Sequence, residues 1–502
     1  MKKIVFLLMQ LYVLNFVIAQ NYINNKYIFG NEYAGALLQS VLEQQDTIVI
    51  AGFIGEWVNV NQRKSFTAKL NLAGDVLQFK LLDTTSNNYF WVYPRTLSPT
   101  QTNGYLCAGI YDNPTDYMCC FMAKLSHNLD TIWTKKICHI DSNKQLLSIA
   151  NIELPNGNIY LFCEVWVYGN TGVVDNNVMI ILLDSQGNEI KRTEWGNPSI
   201  RQQPKGILST TNGLFMYGGG GFASGTQIGG FILQVGDSAD ILDAYVTPTS
   251  DSMAWFSGLD VLADSNFITC GLMVRKNQTT GLEYCINYIS KLKKTTFEKM
   301  WQIPFSAANC EYARVYKAVA TPDGGAVICG DDEGNKGWLV KVNTDGQIIW
   351  DRRHTLIGGG DHYFSDMVSN SDGGFTIVGL IYSPNTDTIG TYAWLARTDS
   401  FGCLVPGCQS VGIAENTPIE NSLKLYPNPT NDRLFLYYNN PQYKNFVFAI
   451  TDLTGREVVP NTPLQSSTTY EIVVRDWAKG LYFVRVFDTE GQNVYTEKFV
   501  KE

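Results

Sequence analysis

Short apolar runs alternate with Asn-Gly, Asp-Gly and Ser/Thr-rich turns along most of the chain, a pattern of strands rather than helices. Within it one unit recurs. It is clearest at Thr321-Pro-Asp-Gly-Gly-Ala-Val-Ile-Cys-Gly330, followed by Gly337-Trp-Leu-Val-Lys-Val-Asn-Thr-Asp-Gly346 and Gln347-Ile-Ile-Trp350. It returns as Ser371-Asp-Gly-Gly-Phe-Thr-Ile-Val-Gly379 with Ala393-Trp-Leu-Ala-Arg-Thr-Asp-Ser-Phe-Gly402, and fainter copies end at Gly52, Gly109, Cys163, Gly218 and Gly271. With Gly330 and Gly379 these closing residues make seven markers, 49 to 59 residues apart.

Each unit reads as four short strands. An alternating run leads through an Asn-Gly or Asp-Gly turn, a strong hairpin signal, into a second apolar run. A variable polar loop follows, then a third strand of the Gly-Trp-Leu-Val-Lys-Val kind. A second turn (Thr344-Asp-Gly346, Ser185-Gln-Gly187, Ala73-Gly74) leads into the fourth. Four strands per repeat are the blades of a propeller, so residues 20–411 are expected to form a seven-bladed β-propeller. The last unit has no good fourth strand, because Cys, Pro and Gly follow Gly402, whereas Lys26-Tyr-Ile-Phe-Gly30 precedes the first unit. That early segment is therefore expected to supply the outer strand of blade seven and remove an exposed edge. The glycine closing most second strands is read as a close approach or a bulge. Trp133, Trp301, Trp338, Trp350 and Trp394 recur at matching places and are read as blade-to-blade packing.

The start of the chain follows a different pattern. Lys2 and Lys3 precede a mostly apolar stretch, Ile4 to Ile18, interrupted by Gln10 and Asn15, and Ala19-Gln20 comes next. This order predicts a signal peptide over residues 1–19, cut after Ala19, since the stretch falls short of the ~20 residues of a membrane span. No later segment is apolar enough for a transmembrane span. Composition agrees with export. Charged residues make up 17%, below the ~25% usual in soluble proteins, and Asn, Thr, Ser, Gln and Gly take their place. A net charge of −9 without a Lys/Arg run argues against a nucleic-acid partner.

After a polar linker at 412–420 the pattern changes again. Arg433-Leu-Phe-Leu-Tyr-Tyr438, Phe446-Val-Phe-Ala-Ile450 and Leu481-Tyr-Phe-Val-Arg-Val486 are β-prone runs between turns, which predicts a small sandwich over 421–502. Three pieces stand out: Leu425-Tyr-Pro-Asn-Pro-Thr430, Ile450-Thr-Asp-Leu-Thr-Gly-Arg456 and Gly480-Leu-Tyr-Phe-Val-Arg-Val486, ahead of the terminal Glu497-Lys-Phe-Val-Lys-Glu502. In order, spacing and terminal position they resemble the type A C-terminal sorting domain of the type IX secretion system of Bacteroidetes. The resemblance implies an Ig-like β-sandwich recognised by the outer-membrane translocon and sorting machinery. It also implies removal of the domain as the cargo is released or attached to the cell surface. It places the motif on Tyr426, Pro427, Asn428, Pro429, Gly455, Gly480, Tyr482 and Lys498. The repeat resembles quinoprotein-like and related secreted bacterial propellers, in which an Asp-Gly turn precedes a packing Trp. It departs from the sialidase Asp-box, because Asp345 and Gly346 are adjacent.

Chemistry is sparse. Of eleven cysteines, Cys107, Cys119, Cys120, Cys163, Cys270, Cys285 and Cys329 lie in apolar strand-like runs, where a free thiol packs as a small hydrophobe. Cys403 and Cys408 lie in a turn-like linker and are expected to form a local disulfide. His127, His139, His354 and His362 stand at no metal-ligand spacing, and neither a Gly-x-Ser-x-Gly elbow nor a Walker loop occurs. Neither a metal nor a cofactor is therefore expected. Asp331-Asp332-Glu333 reads as a solvated acidic loop, and His362 beside Asp361 as a satisfied loop histidine.

Propeller geometry puts a site on the face built from the loops between strands two and three and between successive blades. Aromatics amid Asn, Asp and Thr in those loops suit sugar rings or peptide side chains, and Trp57, Trp91, Tyr111, Trp166, Tyr168 and Trp255 are the candidate ligand residues. The expected function is an exported cell-surface or secreted propeller that binds a glycan or a protein without catalysis. The alternative is an extracellular hydrolase or lyase, in which two of Asp112, Asp175, Asp361 and Asp366 converge on the channel at the ~5–10 Å that glycosidic chemistry needs.

Overall fold

Apolar runs bounded by turns become strands throughout. The structure, a computed structural model, describes residues 22–502 apart from 28–34, 45, 56–63, 83–88, 114–115, 170–171, 197–200, 222–228, 248–253, 277–282, 309–313, 333, 357–359, 384–389, 406–407, 409–422, 439–445, 466–467 and 488–492. The chain separates into two compact units, residues 1–406 and 407–502.

In the first unit β1 (Ile23–Tyr27) precedes six sheets of four antiparallel strands each, in chain order. Sheet one is β2–β5 (Ala36–Gln44, Thr47–Ile54, Lys64–Asn71, Val76–Leu81) and sheet two β6–β9 (Tyr89–Pro99, Tyr105–Asn113, Asp116–Leu125, Thr131–Ile137). Sheet three is β10–β13 (Lys144–Glu153, Ile159–Gly169, Gly172–Leu183, Glu189–Trp195) and sheet four β14–β17 (Arg201–Thr210, Gly213–Gly221, Gly230–Val235, Ile241–Val246). Sheet five is β18–β21 (Ala254–Val261, Phe267–Lys276, Glu283–Leu292, Lys299–Ala308) and sheet six β22–β25 (Arg314–Ala320, Ala326–Asp331, Gly337–Val342, Ile348–His354). Sheet seven is built from β26 (Asp361–Ser369), β27 (Phe375–Tyr382) and β28 (Thr391–Thr398), with β1 as its outer strand. Ile23 to Tyr27 pair antiparallel with Arg397 to Ala393, so a segment that precedes the first sheet completes the last one, as the repeat pattern predicts.

The first strand of each sheet packs on the first strand of the next, and β26 packs on β2, closing the ring of a β-propeller. Each seam between neighbouring sheets has its own apolar cluster, for example Val41, Ile50 and Phe66 with Val378 and Leu395 between sheets one and seven. Polar stitches add to these clusters around the channel. Ser40 Oγ and the Val41 amide donate to Asp366 Oδ2, the Leu97 amide to Ser40 Oγ, Ser98 Oγ to Asn151 Oδ1, and the Ala320 amide to Asp260 Oδ2.

The repeat markers have one geometric cause. Each ends opposite a break of register in the neighbouring first strand: Leu38/Ser40 faces Gly52, Phe256/Gly258 faces Gly271, and Phe364/Asp366 faces Gly379. The break is a bulge that pushes a first-strand carbonyl onto the marker. A Cβ on Gly379 would lie 1.8 Å from the Tyr363 oxygen, and one on Gly52 2.0 Å from that of Leu37. Cys163 stands at this place in sheet three.

The recurrent aromatics of the outer strands cap the next sheet. Trp133 Nε1 donates to the Ser185 carbonyl at 3.2 Å and Trp301 Nε1 to that of Thr344 at 3.1 Å, so each indole lies on the turn that ends in Gly187 or Gly346. Both glycines have positive φ, +76° and +88°, which the tight turn requires.

Two expectations are corrected. Cys119 is not a free core thiol: it forms a disulfide with Cys138, across a Cα–Cα distance of 4.5 Å. The β8–β9 hairpin explains it, because the pairing of Cys120 with Ile137 sets Cys119 opposite Cys138. Asp331 is not solvated; it ends β23 and is buried, while its neighbour Asp332 pairs with Arg353 at 2.8 Å.

The second unit is a β-sandwich. One sheet orders β29 (Leu423–Tyr426), β30 (Arg433–Tyr438) and β33 (Thr468–Val473). The other contains β31 (Phe446–Asp452), β32 (Glu457–Leu464), β34 (Gly480–Phe487) and β35 (Asn493–Lys501), in the order β32-β31-β34-β35. Leu434, Leu436, Phe448, Ile450, Val484 and Phe499 form its core.

Candidate ligand-binding site

Strand β11 alternates its side chains, so Glu164, Trp166 and Tyr168 share one side of sheet three. Glu164 is buried, and its Oε1 accepts from Trp166 Nε1 at 2.9 Å and from Asn176 Nδ2 at 2.5 Å. Burial raises this carboxyl above the ordinary range; the charge of Lys205 and the two hydrogen bonds oppose the rise. Lys205 is the bulged residue of β14, and its ammonium lies 4.6 Å from the centre of the Trp255 ring. Trp255, the second residue of β18, is backed so closely by Gly219 that a Cβ there would fall 2.3 Å from the indole. Its Nε1 is buried without a hydrogen-bond partner. Sheets three, four and five thus bring Trp166, Glu164, Lys205 and Trp255 into one linked group.

Two of the other candidate residues have partners of their own. Tyr168 donates to Gln145 Oε1 at 3.0 Å within sheet three. Tyr111 packs into the seam of sheets one and two, its ring 4.1 Å beneath the Lys136 ammonium. Trp57 lies outside the described residues. The backbone of Trp91 pairs with Ile110, and its side chain lies outside the description. The cleavage position Ala19-Gln20 and the linker 412–420 also fall outside it.

A cavity of about 420 Å³ opens in the channel near the hairpins that join first and second strands, the end of the blades opposite to these aromatics. Asp366, Lys317, Glu153 and Asn151 line it with the apolar Leu97 and Ile207. Its carboxylates are engaged. Asp366 Oδ1 lies 3.3 Å from Lys317 Nζ, while Glu153 accepts from Lys124 Nζ and from the Gln101 amide, each at 2.7 Å. Of the four channel carboxylates considered from sequence, Asp366 alone lines this cavity. Asp361 is five residues away on the same strand, about 16 Å at a strand's rise, and accepts from Asn335 Nδ2. Asp175 caps the Asn176 amide at 2.8 Å, and the side chain of Asp112 lies outside the description. His362 is buried. The Leu356 amide donates to its Nε2 at 3.0 Å and its Nδ1 faces the Gly360 carbonyl at 2.8 Å, the bonding of a neutral imidazole, and burial keeps its pKa low.

In the sandwich the motif residues have structural work. Asn428 acts as a backbone surrogate: its Nδ2 donates to the Lys498 carbonyl at 3.1 Å and its Oδ1 accepts from the Val500 amide at 3.0 Å. These two bonds tie the Tyr426–Pro429 segment, in which the peptides before Pro427 and Pro429 are cis, to β35; Tyr426 stacks on Phe435. Gly455, at φ +85°, turns the chain over Asp452, whose Oδ1 takes the Thr454 and Arg456 amides. Gly480 pairs with Lys501 and opens β34, and buried Tyr482 donates to the Ala478 carbonyl at 2.8 Å. Cys403 and Cys408 are both disulfide-bonded.

Glu164, Asn176 and Lys205 were not singled out from sequence. The signal for Glu164 is a carboxylate inside an otherwise apolar second strand, Ile159-Tyr-Leu-Phe-Cys-Glu-Val-Trp166.

Residues 424–502 match the family model described as a secretion system C-terminal sorting domain. The chain carries that domain and is exported, to the cell surface or beyond it, through the secretion machinery that reads it. Among the described residues no helix is long and apolar enough to cross a membrane. No curated protein matches the chain. Solved structures it is similar to include the polysaccharide lyase Uly1 (10% identity, TM-score 0.44, covering 77% of this chain and 94% of that one). A protein of unknown function from Dyadobacter fermentans DSM 18053 is another (10% identity, TM-score 0.42, 65% and 97% covered). So is the β-propeller domain of the Trilobed protease from Pyrococcus furiosus (11% identity, TM-score 0.38, 76% and 99% covered).

Proposed function

We propose that the exported propeller binds an extracellular glycan or protein without turning it over, through the group formed by Trp166, Glu164, Lys205 and Trp255. The observation that carries this reading is the placing of two partly exposed indoles, one from sheet three and one from sheet five, against polar groups of sheets three and four. Aromatic side chains held in place before binding lose little conformational freedom on contact, and such anchors dominate recognition. Indole faces suit the C–H faces of a sugar or an apolar peptide side chain, and the Lys205 ammonium suits hydroxyl or carbonyl acceptors on its edge.

The test is an array of glycans and peptides probed with the full chain, with release of cleaved products followed in parallel. Trp166→Ala and Trp255→Ala should each weaken binding by roughly 10-fold or more, the ~1.4 kcal/mol or greater expected of an aromatic anchor. Product release that depends on Glu164 would replace the reading with the hydrolase or lyase alternative. One observation favours that alternative: burial holds Glu164 above the ordinary carboxylate range, as a general acid requires. Glu164→Gln separates the two, because it abolishes acid catalysis while keeping a hydrogen-bond acceptor for Trp166.

A further inference from the structure

Cys120, on β8 of sheet two, and Cys163, on β11 of sheet three, bring their sulfurs within 3.4 Å of each other across the seam of the two sheets. Both are fully buried and both are thiols in the structure. They sit in one apolar cluster with Leu106, Met122, Leu161 and Met179. A disulfide needs its sulfurs about 2.05 Å apart, so the bond has a gap of little more than ~1 Å to close. The chain is also built for an oxidising route: it is exported, and Cys119, Cys138, Cys403 and Cys408 are already in disulfides.

We propose that Cys120 and Cys163 are a modification site, joined during export into a disulfide that ties sheet two to sheet three. The oxidant is a protein disulfide of the dithiol-oxidase class, met between the two membranes. One cysteine thiolate attacks that disulfide, forming a mixed disulfide and releasing one oxidant thiolate. The second cysteine thiolate then attacks the mixed disulfide, forming the Sγ–Sγ bond and releasing the other. Two cysteine thiols lose two electrons and two protons, and the oxidant becomes a dithiol.

The order of events follows from burial. In the closed ring the Cys120 thiol is pushed well above its ordinary pKa by desolvation, and the charge of Arg192 only partly opposes this. Thiolate is scarce and no oxidant reaches the seam. The bond therefore forms before sheets two and three close on each other, and afterwards resists reductants that do not unfold the ring.

The decisive residue is Cys163, because Cys119, beside Cys120, is already bridged to Cys138. The full chain recovered from an export-competent host is denatured without reductant, alkylated, digested and mapped by mass spectrometry. The expected result is Cys163 unalkylated and linked to the Cys119-Cys120 peptide, with fragmentation assigning the link to Cys120. In the Cys163→Ala chain, Cys120 should become fully alkylated while Cys119 stays bridged to Cys138. Alkylated Cys163 in the unmodified sequence, or a link from Cys163 to any cysteine but Cys120, overturns the proposal.

Discussion

Sheets six and seven have the same four strands, but one is continuous in sequence and the other is assembled from both ends of the propeller. In sheet six Trp338 Nε1 donates to Asp351 Oδ1 at 2.7 Å, on the outer strand opposite Val340. In sheet seven Trp394 Nε1 donates to Asn24 Oδ1 at 2.8 Å, and Asn24 stands opposite Ala396 in the matching register. The outer-strand aromatic also has its counterpart. Trp350 packs on Gly402 of the next sheet, and Tyr27 packs on Gly74 of sheet one while donating to its carbonyl at 2.7 Å. The third-strand cation differs. Lys341 of sheet six reaches Asp323, whose side chain is 57% exposed, whereas Arg397 of sheet seven, 2% exposed, joins Glu43 of sheet one and Asp372 of its own sheet. The sheet assembled from two chain segments thus repeats the indole bond to its outer strand and the packing of an outer-strand aromatic on a glycine of the next sheet, and it adds a buried ion pair to that sheet. The backbone ladder of β1 on β28 stands where other blades have a connecting turn.

The largest break in this comparison is removal of residues 23–27. Without them β28 becomes a bare edge, Ile23 leaves the core, and the Asn24 and Tyr27 bonds are lost. The truncated chain should lose its cooperative thermal transition and elute as aggregate in gel filtration; an unchanged melting curve would mean that β1 does not close the ring. Next in size is the ion pair. Arg397→Ala should cost about 3–5 kcal/mol in denaturant titration, because it strands Glu43 and Asp372 in a buried site. Lys341→Ala should cost about 0–1 kcal/mol, as exposed pairs do. Equal losses would remove the distinction between the two sheets.

Acid should act on the seam between sheets six and seven. His354 has a buried, unpartnered Nε2, and burial pushes its pKa down to about 4. The unfolded chain takes up this proton first, near pH 6.5, so the contribution is intact above about 6.5 and lost as pH falls toward 4. The loss is at most about 3 kcal/mol from the 1.36 kcal/mol per pKa unit. Stability measured from pH 7 to 4 should fall less steeply in His354→Gln than in the parent; parallel curves would show that the fold leaves the His354 pKa where the unfolded chain has it.

The ring was legible because the repeat is carried by backbone constraint. Marker residues end opposite the first-strand bulge, and a close carbonyl selects glycine in most copies, so the spacing survives where side chains vary. The early segment was legible through its aromatic, although the strand runs from Ile23 to Tyr27 rather than starting at Lys26. Trp166 and Trp255 could be chosen as aromatics near loops. Lys205 could not, since it lies inside a strand and meets Trp255 only across two sheets, and Glu164 left only the trace of a carboxylate within an apolar strand. Cys119–Cys138 was within reach: extending the hairpin register back from the Leu125–Thr131 turn sets the two opposite each other. Cys120 and Cys163 were not, because only the packing of two sheets brings them together.

The smallest effect addresses a feature that continuous and assembled sheets share. Gly52 and Gly379 stand at the same marker position on either side of the closure, each with a first-strand carbonyl within 2.0 Å of where a Cβ would be. Backbone cannot swing aside as a flexible side chain can, so Gly379→Ala and Gly52→Ala should each cost about 1–3 kcal/mol, the range of overpacking in a tight core. Gly324→Ala is the control, in a sheet-six turn where nothing lies within 4 Å but φ is +85°. Its cost is conformational alone, about 1 kcal/mol. If the marker variants cost no more than the turn variant, carbonyl crowding is not what keeps glycine there. The regular spacing would then need a cause in the turns rather than in the bulges.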